Sequence, residues 1–82
     1  MELGRYARMA REGSEVAASL TKRETEVLRA ISEGYTMRSI AKRLGISPRT
    51  VETHVAKLYR KLGAKTRVQA VARAASLGLI EL

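Results

Sequence analysis

MRSIAKRLGISPRTVETHVAKLYRKL, residues 37–62, holds two apolar stripes at helical spacing on either side of a glycine. In the first, Ile40, Ala41 and Leu44 face one side, while Arg38, Lys42 and Arg43 face the other. Thr36 stands where an N-cap belongs, so the pattern predicts a helix from Met37 to Leu44. Gly45 breaks it, because glycine enters the left-handed region without the steric cost of a Cβ. Ile46 is then placed to plug the corner. Ser47-Pro48 predicts a second helix start, with Ser as N-cap and Pro at the first helical position, where an N–H would be unpaired anyway. Val51, Val55, Leu58 and Leu62 follow at spacings of four, three and four. At about 100° per residue they share one narrow sector. The opposite face carries Arg49, Thr53, Ala56 and Arg60, flanked by Glu52 and Lys57. Gly63 closes this helix.

Counted from Met37, Ala41 is fifth, Gly45 ninth and Val51 fifteenth. A small fifth residue lets the second helix cross closely. The ninth makes the turn, and the branched fifteenth fills the wedge between the helices. An ordinary helical hairpin has no need of that order at those offsets. The pair is therefore read as a helix-turn-helix, the unit that lays its second helix in the major groove of DNA.

Upstream, Thr21-Lys22-Arg23-Glu24 fits a capping box, in which the Thr hydroxyl accepts from the Glu24 N–H and the Glu24 carboxylate from the Thr21 N–H. Val27, Leu28 and Ile31 continue it as an apolar stripe, and Gly34 suits a left-handed C-cap, so a helix is predicted from about Lys22 to Glu33. Downstream, Thr66 caps an alanine-rich last helix from about Arg67 to Leu77. Gly78 ends it and leaves Leu79-Ile80-Glu81-Leu82 as a short apolar tail. That helix has more apolar surface than one stripe against its own core requires. Residues 1–19 read as a tail or linker, with a short helix as the alternative. Leu3, Tyr6, Met9 and Ala10 recur at helical spacing, Arg5, Arg8 and Arg11 form one basic edge, and Gly13 and Ser14 would end the helix. The fold class expected is all-α, with four helices in residues 20–82, no β-structure, and that short extra N-terminal helix as the open question.

Eighty-two residues bound this to one small domain with a modest core. Sixteen Lys and Arg against eight Asp and Glu give a net charge of +8, which points to a polyanionic partner. Trp and Phe are absent and Tyr6, Tyr35 and Tyr59 are the only aromatics, too few for a single-strand stacking platform. No apolar run reaches the roughly 18 residues that would cross a bilayer, and the N-terminus lacks the apolar core of a secretory signal. Without cysteine there is neither a disulfide nor a thiolate metal site, and His54 has no second His or Cys to complete a ligand set. No nucleophile–base pair or phosphate loop suggests an enzyme.

The segments Leu20-Thr21-Lys22-Arg23-Glu24-Thr25-Glu26-Val27-Leu28, Gly34, Ile40-Ala41, Ile46-Ser47, Thr50-Val51-Glu52-Thr53-His54-Val55, Lys61-Leu62-Gly63-Ala64 and Thr66-Arg67 together resemble the LuxR-type, or GerE-like, DNA-binding domain. The resemblance runs from about Leu20 to Leu82. It implies a four-helix domain that binds double-stranded DNA as a dimer, usually at the C-terminus of a bacterial transcription regulator. The third helix of such a domain is the recognition helix and the fourth mediates dimerisation. One departure stands out: where the family usually carries Asn-Lys, this chain has Met37-Arg38, keeping the charge and losing a polar group.

Carried onto this chain, the resemblance implies base contacts from Arg49, Glu52, Thr53 and Ala56. Arg49 would donate to guanine, Glu52 accept from cytosine N4, and the methyls of Thr53 and Ala56 touch thymine. Two of these side chains are short, so DNA shape and bridging water would share the readout. Phosphate contacts are expected from Ser47, Thr50, His54, Lys57 and Lys61, with Arg38 or Lys42 on the preceding helix. Val68 and Ala72, four apart and small, are the candidates for a homodimer contact; the alternative is that they complete the monomer's own core. The expected partners are double-stranded DNA, a second copy and RNA polymerase. No cofactor, membrane or small-molecule site is expected, and the location is the cytoplasm, on the nucleoid when bound. A sigma-factor-like promoter-reading domain shares the Leu-Thr…Arg-Glu…Val-Leu opening, but Thr53-His54-Val55 and the Lys61-to-Arg67 ending favour the LuxR type. The alternative of another class is a helical protein-interaction module built on the apolar last helix. No sensing domain fits in residues 1–19, so the chain is expected to be a stand-alone regulator or a part of a larger one.

Overall fold

The computed structural model describes residues 3–81, except for the side chains of Leu3 and Tyr6. The apolar positions assigned to those two, and Leu82 of the tail, therefore lie outside the described residues. Within that range the chain forms α1 (Leu3–Ser19), α2 (Lys22–Ser32), α3 (Met37–Leu44), α4 (Pro48–Leu62) and α5 (Arg67–Ser76), with no strand.

Each of the last four helices starts on the residue its cap dictates. Thr21 Oγ1 accepts from Glu24 N at 3.0 Å while Glu24 Oε1 accepts from Thr21 N at 2.8 Å, so the capping box is closed on both sides. Thr36, Ser47 and Thr66 each take one N–H from the first turn of α3, α4 and α5, at 3.1 Å. These contacts satisfy donors that a helix cannot pair within itself. Between α3 and α4 the backbone turns at Gly45, φ 68°, where any Cβ would be strained. The Ile46 N–H closes onto Ala41 O at 3.0 Å.

The core sits where α2, α3 and α5 meet α4. Val27 and Ile31 of α2, Ile40 of α3, Val51, Leu58 and Leu62 of α4, and Ala70 and Ala74 of α5 are all buried. Ala41 is buried too, small enough for the two helices of the turn to cross. Met37, the family departure, is half-buried against this cluster, so it exchanges a polar group for apolar contact. Val68 is 79% exposed and Ala72 is exposed, so the monomer's core does not use them.

The N-terminal segment differs from expectation. Instead of ending at Gly13 and Ser14, α1 runs on to Ser19. Gly13 is a buried helical residue, and a side chain there would collide with the carbonyl of Leu77. Close approach, not termination, explains the glycine, although glycine inside a helix costs about 0.5–1 kcal/mol relative to alanine. Val16 and Leu20 pack against the core, while the described residues from Gly4 to Glu12 are exposed.

Candidate nucleic-acid interface

α4 has two faces. Val51 and Leu58 are fully buried and Leu62 nearly so, and this stripe fixes the rotation of the helix about its axis. Arg49, Glu52, Thr53 and Ala56 are consequently exposed on the other face, along with Thr50 and Lys57. Thr53 Oγ1 donates to the Arg49 carbonyl at 3.2 Å, which ties its hydroxyl to the helix backbone. The hydroxyls of Ser47 and Thr50 share a hydrogen bond of 2.8 Å at the N-terminus of α4. A helix start of this kind, with its dipole and hydroxyl donors, suits an anion. His54 is half-buried at the edge of the apolar stripe. Arg38 and Lys42 are exposed on α3. Among the described residues, none of Arg38, Lys42, Arg49 and Lys57 has a carboxylate within ion-pairing distance. Nor do His, Asp and Glu gather anywhere among the described residues as a metal site would need.

Lys61 departs from its expected place among the phosphate contacts. Its ammonium is turned inward, bonded to Glu24 Oε1 at 2.6 Å and to Ser19 O at 2.7 Å. Glu24 is only 1% exposed, so Lys61 neutralises a charge that would otherwise sit alone in the core. Burial by itself would raise the Glu24 pKa. The Lys61 ammonium and the hydrogen bonds from Thr21 outweigh it and hold the carboxyl below the ordinary carboxylate range. The sequence offered one hint. A step of four residues rotates about 40° around a helix, which brings Lys61 from the outer flank occupied by Lys57 to the border of the apolar stripe.

Three further arginines make polar contacts that had no signature in the sequence. Arg67 donates to Ile31 O and Tyr35 O, both at 2.8 Å, tying the start of α5 to the end of α2. Arg73 donates to Leu62 O at 3.1 Å and pairs with Glu12. The Arg43 guanidinium stacks 4.2 Å from the centroid of the Tyr35 ring and donates to its hydroxyl at 3.0 Å.

The result is a helix-turn-helix whose second helix is exposed and cationic on its outer side. The family model described as "Bacterial regulatory proteins, luxR family" matches residues 18–74. The chain belongs to the luxR family. The LuxR-family assignment makes it a helix-turn-helix DNA-binding domain of a transcription regulator; the family is not a class of enzymes. Among its relatives, the transcriptional regulatory protein YdfI of Bacillus subtilis is 38% identical over 77 residues, covering 94% of this chain and 35% of that protein. A LuxR-type receptor of solved structure, the Vibrio cholerae VqmA dimer, is 42% identical with a TM-score of 0.72, covering 73% of this chain and 27% of that one. The phage VqmA–DPO complex matches 100% of this LuxR-family chain and 40% of its own, at 32% identity and a TM-score of 0.74. The chain spans 7% to 35% of the length of the curated relatives it matches. No helix of the LuxR-family domain, among the described residues, is long and apolar enough to cross a membrane.

Proposed function

We propose that this LuxR-family domain reads a specific sequence in double-stranded DNA as a homodimer, with the N-terminal half of α4 in the major groove. One observation carries the reading: the buried stripe of Val51, Leu58 and Leu62 leaves Arg49, Glu52, Thr53 and Ala56 outermost on the helix. An inserted helix meets base edges with that face. Arg49 reads guanine, Glu52 accepts from cytosine N4, and the methyls of Thr53 and Ala56 abut thymine. Ser47, Thr50, His54, Lys57, Arg38 and Lys42 hold the flanking phosphates. Lys61 is left out of that set, because leaving Glu24 unpaired would cost more than a phosphate contact returns.

Val68 and Ala72 form the dimer contact, supported by the exposure of a branched aliphatic side chain that the monomer's core does not use. The VqmA relative is described as a dimer, which agrees with this assignment. A patch of two small side chains makes a weak pair, strengthened when DNA aligns two recognition helices about 34 Å apart. The regulator works in the cytoplasm on the nucleoid, with RNA polymerase as its protein partner.

Selection of bound duplexes from a random pool tests the proposal. It should return two half-sites in inverted order, centred about 10 bp apart. Equal affinity for the selected duplex and a random one at moderate salt would sink it. Replacing Val68 with Asp should weaken binding to the paired site while leaving a single half-site unaffected.

A further inference from the structure

The match to the family model begins at residue 18, so nearly all of α1 lies outside it. Nothing in α2 to α5 needs α1 for a cap, yet α1 is fastened to them, and its polar links converge on the last turn of α4. Lys61 of α4 donates to the Ser19 carbonyl at the end of α1 while holding Glu24. Arg73 spans the other side, pairing with Glu12 of α1 and donating through Nε to the carbonyl of Leu62, the last residue of α4. Gly13 lies between them, its missing side chain letting the backbone of α1 seat against Leu77.

We propose that α1 is a positioning element for the recognition helix: seated at Gly13, it holds the C-terminal end of α4 through Lys61 and Arg73, and so raises affinity for DNA. This rests on the DNA-reading function proposed above. The leverage follows from length. A helix of 15 residues is about 22 Å long, so a tilt of roughly 5° at its C-terminus moves its N-terminus by about 2 Å. Specific contacts tolerate roughly 0.5 Å. The end of α4 farthest from Arg49 therefore governs how well Arg49, Glu52 and Thr53 meet the bases.

Gly13→Ala tests this in the full chain. Alanine is the better helix former, so α1 keeps its helix while the new Cβ pushes it off Leu77. Glu12→Gln, on the exposed side of α1, weakens the Arg73 link without adding bulk. Affinity for the selected duplex is measured by fluorescence anisotropy at a temperature where circular dichroism shows each variant folded, with amide exchange followed along α4. Gly13→Ala should bind about tenfold more weakly and Glu12→Gln about threefold. The double variant should be no weaker than Gly13→Ala, because both act through one seat. Amides of Lys61 and Leu62 should exchange faster in both. Folded variants that bind as tightly as the parent, or more tightly, overturn the proposal, and Glu12→Gln decides alone if Gly13→Ala does not fold. A parent that binds no duplex at all fails the DNA-reading function instead, and takes this inference with it.

Discussion

Lys57 and Lys61 stand one turn apart on α4, and their surroundings could hardly differ more. Lys57 is exposed with no carboxylate beside it among the described residues; Lys61 is pinned between the buried Glu24 and the end of α1. The contrast extends to the two halves of the helix. The N-terminal half keeps its outer face bare, with Arg49, Glu52, Thr53 and Ala56 all exposed. The C-terminal end is held by Glu24, Ser19 and Arg73. One helix thus combines a face kept open for a partner with an end held by the protein itself. Charge along α4 does not by itself report which side chains a partner can reach, because one of these two lysines is exposed and the other is tied to Glu24 and Ser19.

The sharpest way to break this contrast is charge reversal on the bare half. Arg49→Glu combined with Lys57→Glu should weaken binding to the selected duplex by about 100-fold or more, as two favourable contacts become repulsive. The fold should persist, since both residues are exposed. A gel-shift titration alongside a thermal melt checks both halves of that expectation.

At the fixed end, Lys61→Met should cost about 2–3 kcal/mol of stability in urea unfolding. It strands the Glu24 carboxylate, and the remaining Thr21 hydrogen bonds with partial solvent access at Lys61 keep the loss below that of a fully buried pair. The same pair sets an acid dependence. The Glu24 pKa is lower in the folded state than in the unfolded chain, so as pH falls the unfolded chain takes up the proton first. The contribution of Glu24 is fully present above the unfolded carboxylate value and is lost as pH drops through the folded one. Unfolding followed across acid pH should show this loss in the parent and less of it in Glu24→Gln.

Smaller effects refine the picture. Ser47→Ala removes the acceptor for Thr50 N–H and should destabilise by about 1 kcal/mol, read as a lower urea midpoint with an unchanged slope. The two lysines can also be compared directly through salt. Lys57→Ala should reduce the slope of log affinity against log salt by about one, the signature of one lost phosphate contact. Lys61→Ala should leave that slope as it was. An equal drop for both would mean that Lys61 reaches DNA after all, and the division of α4 into open and fixed ends would fail.

Much of this was legible in the chain because it is local. A capping Thr or Ser speaks to a residue three positions on, and a stripe repeats within four, so the starts of α2 to α5 follow from neighbours in sequence. The exposed set on α4 followed for the same reason: once Val51 and Leu58 turn inward, Arg49 and Thr53 must turn outward. α1 was misjudged at Gly13 because a glycine inside a helical pattern reads as a stop. Its actual reason lies in Leu77, far along the chain.

The sequence by itself therefore determined α2 to α5, their caps and the turn at Gly45, all of which rest on spacings within about two helical turns, and the family likeness, which rests on several such local segments taken together. Only the tertiary structure decided which charges are available to a partner. Glu24 meets Lys61 across 37 residues and Arg73 meets Glu12 across 61. No periodicity specifies a partner at such separation. It is chosen when packed helices bring one buried carboxylate, or one unpaired helix-end carbonyl, within reach of a long cationic side chain.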